Sequence, residues 1–244
     1  MQLYNLLLFI ITLIGGSVPL WFKGINDRKM HLLLAFSGSF LLSIVFLHLL
    51  HETFEELHTA AGIYLLTGFF LQLVIQRFTH GIEHGHAHVE SNDHGHHHHV
   101  PLTSILIGLG VHAFMEGLPL GFNYLQTSTE PSLYLAVAAH KLPEIMLAST
   151  LVYSLKGKKA ALVTLVIFSL LTPLGSMVAS EVSQKYYAIS RIRAVVIPIV
   201  AGSFIHIATT IFFESGTRHH SLTWQKIIAI ALGVGIGLLT LYIE

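Results

Sequence analysis

The chain is 244 residues long, 53% hydrophobic and 11% charged, with a mean hydropathy of +0.68, which is too apolar for a soluble domain with a solvated surface. Thirteen basic residues balance 13 acidic ones, so the charge gives no reason to expect a nucleic-acid partner. There is no cysteine, which excludes disulfides and thiolate metal sites.

A bilayer core of about 30 Å takes about 20 apolar residues of helix, and lipid offers nothing to an unpaired backbone group. Eight segments meet that requirement: 3–22, 31–50, 60–78, 101–122, 132–155, 160–180, 193–214 and 224–243. The first lacks a basic leader and reads as a membrane helix, not a cleaved signal. The expected fold class is therefore an all-α membrane protein of eight transmembrane helices, with residues 1–244 as one transmembrane domain. A flexible His-rich loop occupies 79–100 within it. With odd-numbered connections inside, Lys23, Arg28, Lys29, Arg77, Lys156, Lys158, Lys159, Arg218 and Lys226 face the cytoplasm and Lys185, Arg191 and Arg193 face out. That asymmetry puts both termini outside. Gly-Ser-Phe recurs at 38–40 and 202–204, and "GGSVP" in span one echoes "TPLGSMV" in span six. Spans one to three and six to eight run in opposite senses, which suggests an inverted repeat around spans four and five.

The chemistry lies in those two spans. Span four holds His112 and Glu116; span five holds His140, Lys141 and Glu144. A spacing of four puts each His/Glu pair on one helical face. His112 and Glu144 lie about 16 Å from the cytoplasmic ends, and Glu116 and His140 about 22 Å. Antiparallel packing matches them crosswise, His112 with Glu144 and Glu116 with His140, in a slab about 6 Å tall near the midplane. A lone charge there costs about 2.5–3.5 kcal/mol on insertion scales. A divalent cation offsets both carboxylates and takes nitrogen from both imidazoles, which suits Zn²⁺, or Fe²⁺ and Mn²⁺. Pro119 and Pro143 remove amide donors; they read first as the common kinks of membrane helices, the alternative being that they free carbonyls near Met115 and Ala139 toward the ion.

"HAFMEGLPLG" and "HKLPE" resemble the span-four and span-five motifs of the ZIP (Zrt/Irt-like) divalent metal transporters. "FLHLLHE" in span two and "AGSF" in span seven are similar to that family as well. The resemblance implies a ZIP-like inverted repeat, external termini, uptake of divalent metal toward the cytoplasm, and often a homodimer. It also implies a primary site of His112, Glu116, His140 and Glu144, with spans one, four, five and six around the ion path. Many bacterial members hold a second, adjacent ion. The positions that hold it correspond here to Ala113, Lys141 and Thr172, none of which suits a metal. The expectation is a single-ion site with Lys141 as a built-in counter-charge; the blander alternatives are that Lys141 snorkels or pairs with Glu144.

Elsewhere, His48, His51 and Glu52 cluster with Glu55, Glu56 and His58 at the outer end of span two, a candidate entrance that concentrates cations. Residues 80–99 contain half of the histidines; His84, His86, His88, His94, His96, His97, His98 and His99 are candidate loop ligands for metal. His206 is a candidate exit or pathway residue, with Ser203 and Thr172 on the same path and Glu214 at the inner end. Trp21, Trp224, Tyr186, Tyr187 and Tyr242 read as an interfacial belt. Residues 233–237, "GVGIG", read as helix packing. The transported substrate is read as Zn²⁺, with Fe²⁺, Mn²⁺ and Cd²⁺ as further substrates. No enzymatic activity or organic cofactor is expected, and the setting is a bacterial plasma membrane. Alternatives are an intramembrane zinc-dependent hydrolase, a metal exporter of another class and a metal sensor.

Overall fold

The computed structural model describes residues 2–22, 26–79, 101–124, 129–185, 190–214 and 223–242. Every regular element among them is helical. Helix α1 spans Gln2–Trp21. Helix α2, Asp27–Ile44, is capped by the Asn26 side chain, which accepts from the Arg28 amide at 2.9 Å. It runs through a π-helical turn, Val45–Leu49, into α3, Leu50–Leu57. The chain breaks at His58, where φ is +48°, and a 3₁₀ turn, His58–Ala60, leads into α4, Ala61–Thr79. Helix α5, Leu102–Gly117, tightens into a 3₁₀ turn, Leu118–Gly121. Helix α6, Thr129–Lys185, is interrupted at Gly157 (φ 81°, ψ 176°). Helix α7 spans Ser190–Glu214 and α8 spans Trp224–Leu239, followed by a 3₁₀ turn, Thr240–Tyr242.

Six stretches of the described residues are long and apolar enough to cross a bilayer; two of them, Asp27–Thr79 and Thr129–Ser183, are 53 and 55 residues long. Residues 51–57, expected as a connection, are helical instead. The helix continues because Leu49, Glu52 and Thr53 still find a buried face, and the turn falls at His58. A connection is expected at 156–159, and the backbone break at Gly157 falls within it.

α1 packs along α6, α2 against α8 and α6, α4 against α7, and α5 between α4 and α6. One core joins Leu41, Ile44 and Leu49 of α2 and the turn after it to Leu133 and Val137 of α6 and Phe204, Ile207 and Ile211 of α7. A second joins Leu20, Leu109, Ala113, Ile145, Leu165 and Phe168 of α1, α5 and α6. Backbone contact fixes α5 against the later half of α6. A Cβ on Gly175 would lie 2.2 Å from the Phe114 carbonyl oxygen, and one on Gly117 would lie 2.0 Å from that of Thr172, so only glycine fits at either place. Large apolar side chains such as Ile63, Phe70, Val163 and Leu239 cover the exterior, a surface suited to lipid.

Candidate metal centre

Helix α5 presents His112 and Glu116 one turn apart, and α6 presents His140 and Glu144 one turn apart. All four are at most 1% exposed. Each offers a ligand atom, and those atoms lie within 4.8 Å of one another. Glu116 Oε1 is 3.1 Å from His112 Nε2 and 3.6 Å from His140 Nε2, which realises one of the expected crosswise meetings. The two imidazoles stand edge to face, with centroids 6.2 Å apart. Apart from the 3.1 Å pairing of His112 Nε2 with Glu116 Oε1, the atoms His112 Nε2, Glu116 Oε1, His140 Nε2 and Glu144 Oε1 are buried without a hydrogen-bond partner. Leaving such atoms unpaired costs about 1–3 kcal/mol each, and more for the charged groups. A cation is the one ligand that two carboxylate oxygens and two imidazole lone pairs all favour.

The other carboxylate oxygens are taken. Lys141 Nζ, 1% exposed, donates to Glu116 Oε2 at 2.6 Å and to Glu144 Oε2 at 2.7 Å. Lys141 does not snorkel, because its ammonium gains two buried carboxylates by staying inside. It pairs with Glu144 and also bridges across to α5. Glu116 is thereby divided, Oε2 to the ammonium and Oε1 toward the two imidazoles, while Glu144 gives Oε2 to the same ammonium. The Thr172 hydroxyl donates to the Ala113 carbonyl at 2.9 Å and adds no free ligand there. The Met115 carbonyl, which the alternative reading of Pro119 would free, accepts from the Leu118 amide because the helix tightens to 3₁₀ spacing before the proline.

The candidate entrance divides. His48 is fully buried, with Nε2 2.9 Å from Thr240 Oγ1 and Nδ1 3.5 Å from Thr129 Oγ1; Thr129 donates to Glu52 Oε1 at 3.2 Å. His51 faces outward, its side chain 51% exposed, and pairs with Glu55 at 3.2 Å. The π-helical turn, which sequence reading missed, carries His48, and His51 follows it in α3. Thr129 and Thr240 carried no local signal, being drawn in from distant helices. Nearby, Arg193 bridges Glu56 Oε2 at 3.0 Å and the Asn123 carbonyl at 2.8 Å. Burial, and then the Glu52 carboxylate, push the Tyr124 phenol well above its ordinary range.

His206 sits between α4 and α7, with Nε2 2.6 Å from Gln76 Oε1 and its ring edge-on to Phe69. Ser203 donates to the Gly68 carbonyl at 3.0 Å in that same interface, whereas Thr172 faces α5, so these residues do not line one path. Gln72, fully buried on α4 with neither amide atom hydrogen-bonded, belongs to this seam and was not foreseen. Trp21, Trp224 and Tyr242 are exposed at helix ends. Loop residues His84, His86, His88, His94, His96, His97, His98 and His99 lie outside the described residues, as do Tyr186, Tyr187 and the side chain of Glu214.

A family model for the ZIP zinc transporter matches residues 3–104 and 83–241. The zinc transporter ZIP9 of Micropogonias undulatus is 28% identical over 207 residues, covering 75% of this chain and 64% of the relative. ZIP9-B of Xenopus laevis is 29% identical over 179 residues, covering 68% and 56%, and the protein zntC of Dictyostelium discoideum is 27% identical over 135 residues, covering 54% and 33%. The chain thus spans less than two thirds of the length of each.

Proposed function

Because the chain belongs to the ZIP zinc transporter family, a family of multi-pass membrane transporters and not of enzymes, we propose that it carries zinc through a single His112–Glu116–His140–Glu144 centre toward the cytoplasm. The observation that carries the reading is the set of four buried side chains, two histidines and two glutamates, whose ligand atoms lie within 4.8 Å of one another. Lys141 takes the place of a second ion and limits the centre to one. Fe²⁺, Mn²⁺ and Cd²⁺ suit the same nitrogen and oxygen donors.

The topology follows from the two long stretches. A straight helix of some 53 residues would run about 80 Å, against a bilayer core of about 30 Å. We read each as two crossings, divided at His58 and at Gly157, which makes eight. Lys158 Nζ stacks on the Trp21 ring at 3.4 Å, so the end of α1 and the Gly157 break share one end of the bundle, as the charge asymmetry requires of a cytoplasmic side. The packing supports an inverted repeat. α2 pairs with α8 as α4 pairs with α7. The serine of each Gly-Ser-Phe meets a glycine in its partner helix: Ser39 crowds Gly233, and Ser203 donates to the Gly68 carbonyl.

Purified protein in liposomes is expected to take up ⁶⁵Zn²⁺, and Glu144→Ala to lower the rate at least tenfold. Uptake by Glu144→Ala at the wild-type rate would remove the centre from the mechanism. Release of a cleaved product without flux would favour the hydrolase, and net extrusion would favour an exporter.

A further inference from the structure

The Tyr134 hydroxyl joins four stretches of the chain. Tyr134 lies in the first half of α6, 5% exposed, and its ring packs on that of Tyr4 in α1 with centroids 5.1 Å apart. A phenol has one hydrogen to give and lone pairs to receive another. Tyr134 donates to Asn5 Oδ1 of α1 at 2.8 Å, with the Leu120 carbonyl at 3.4 Å as a second, longer acceptor of the same hydrogen. Ser176, fully buried in the later half of α6, has its hydroxyl 3.2 Å from the phenol oxygen. Because the phenol hydrogen is committed to Asn5, Ser176 is the donor of that pair.

The junction sits close to the metal centre. Leu120 lies four residues past Glu116 and Tyr134 six before His140, each within about 10 Å of helix rise. The Leu120 carbonyl falls in the last 3₁₀ turn after α5, where a helix has no amide of its own to offer, and the Tyr124 hydroxyl answers the neighbouring Pro119 carbonyl at 2.7 Å. The later half of α6 is already held against α5 at Gly117 and Gly121, where a Cβ would lie 2.0 and 2.1 Å from the Thr172 and Ser176 carbonyl oxygens. Tyr134 ties the earlier half, which carries His140 and Glu144, to that pair. It does so on the side of the centre away from the Gly157 break.

We propose that Tyr134 is a positioning residue for the metal centre. Its hydroxyl sets how the earlier half of α6 stands against α5, and so holds His140 Nε2 at 3.6 Å from Glu116 Oε1, where one ion can take both. Ligand sets work when their donors are held to about 0.5 Å, and a helix that shifts on losing such a bond moves all its ligands together. Tyr134 itself touches no ion. The proposal rests on the reading of the four residues as the metal site and adds a residue that acts through them.

The test uses the full chain in detergent with Co²⁺ as probe, whose d–d absorption reports the geometry of its ligands. A Glu116→Gln/Glu144→Gln control, which lacks the centre and keeps the loop histidines, is subtracted throughout. Tyr134→Phe keeps the ring on Tyr4 and removes only the hydroxyl. It is expected to shift the difference spectrum at saturation, to weaken Co²⁺ binding about tenfold, and in liposomes to raise the KM for ⁶⁵Zn²⁺ uptake by a similar factor. Ser176→Ala, which removes the donated hydrogen, is expected to act in the same direction. A lower melting temperature with wild-type spectrum, affinity and KM would make the hydroxyl a stabilising contact only and overturns the proposal. If Tyr134→Phe does not fold, an unchanged spectrum and affinity in Ser176→Ala overturns it alone. A wild type indistinguishable from the control refutes the four-residue centre and the proposal with it; a clear centre spectrum that Tyr134→Phe leaves unaltered refutes the positioning role alone.

Discussion

Replacing Lys141 by methionine keeps much of the side-chain length and removes the charge. In the metal-free protein this strips two short contacts, 2.6 and 2.7 Å, from carboxylates that are each 1% exposed. Breaking a buried ion pair by removing one partner costs about 3–5 kcal/mol. For a chain of this size that is a fall of roughly 10 °C in melting temperature. Zinc binding should move the other way. An ammonium about 5 Å from the ion, the scale of the 4.8 Å donor cluster, repels each unit of its charge by about 3 kcal/mol at an effective dielectric of about 20. For a doubly charged ion that totals about 6–7 kcal/mol, so removing the ammonium is expected to tighten binding by up to about four to five orders of magnitude and to slow release, so uptake falls while affinity rises. The assay is a thermal melt in chelator and in excess zinc, with affinity from competition against a fluorescent chelator. A variant that melts with the wild type in chelator and binds zinc no more tightly would refute the counter-charge argument.

Three further outcomes follow. The pair Ala113→Asn with Lys141→Asp should raise the zinc bound at the centre from one equivalent to two, counted by elemental analysis against a Glu116→Gln/Glu144→Gln control; a count fixed at one would show that Lys141 does not stand in for an ion. The ligands bind as neutral imidazole and carboxylate and compete with protons for the ion, so zinc affinity at the centre should fall on acidification; calorimetry showing the same affinity at pH 5 and 7.5 would contradict that ligand set. Gly175→Ala drives a methyl into the Phe114 carbonyl and should destabilise by about 1–3 kcal/mol and cut uptake, read by melt and flux, while Gly235→Ala, with nothing within 4 Å of its Cβ, should leave both unchanged.

The helical class was legible because lipid leaves a backbone few options and the apolar runs are long. The meeting of residues 112, 116, 140 and 144 was legible because two i, i+4 pairs on consecutive antiparallel helices leave few ways not to meet. His48 and His51 were inseparable in sequence, since telling their faces apart needs the turn at Val45–Leu49, a local choice with no composition of its own. Thr129 and Thr240 were invisible for another reason: their part depends on contacts 81 and 192 residues distant in the chain. Residues 51–57 looked like a polar connection because acidic side chains hide the periodicity that continues the helix. Lys141's reach to Glu116 depends on the spacing of α5 and α6, which sequence does not set.

The centre has little to distinguish front from back. Each of its two helices brings one histidine and, one turn later, one glutamate, and the helices run opposite ways. An ion arriving from either side of the membrane would meet much the same pair of donors. A vectorial carrier built on such a centre draws no direction from its ligands; rectification has to come from the gradient, from unequal gates, or from the single odd member of the set, Lys141, whose counterpart on α5 is Ala113.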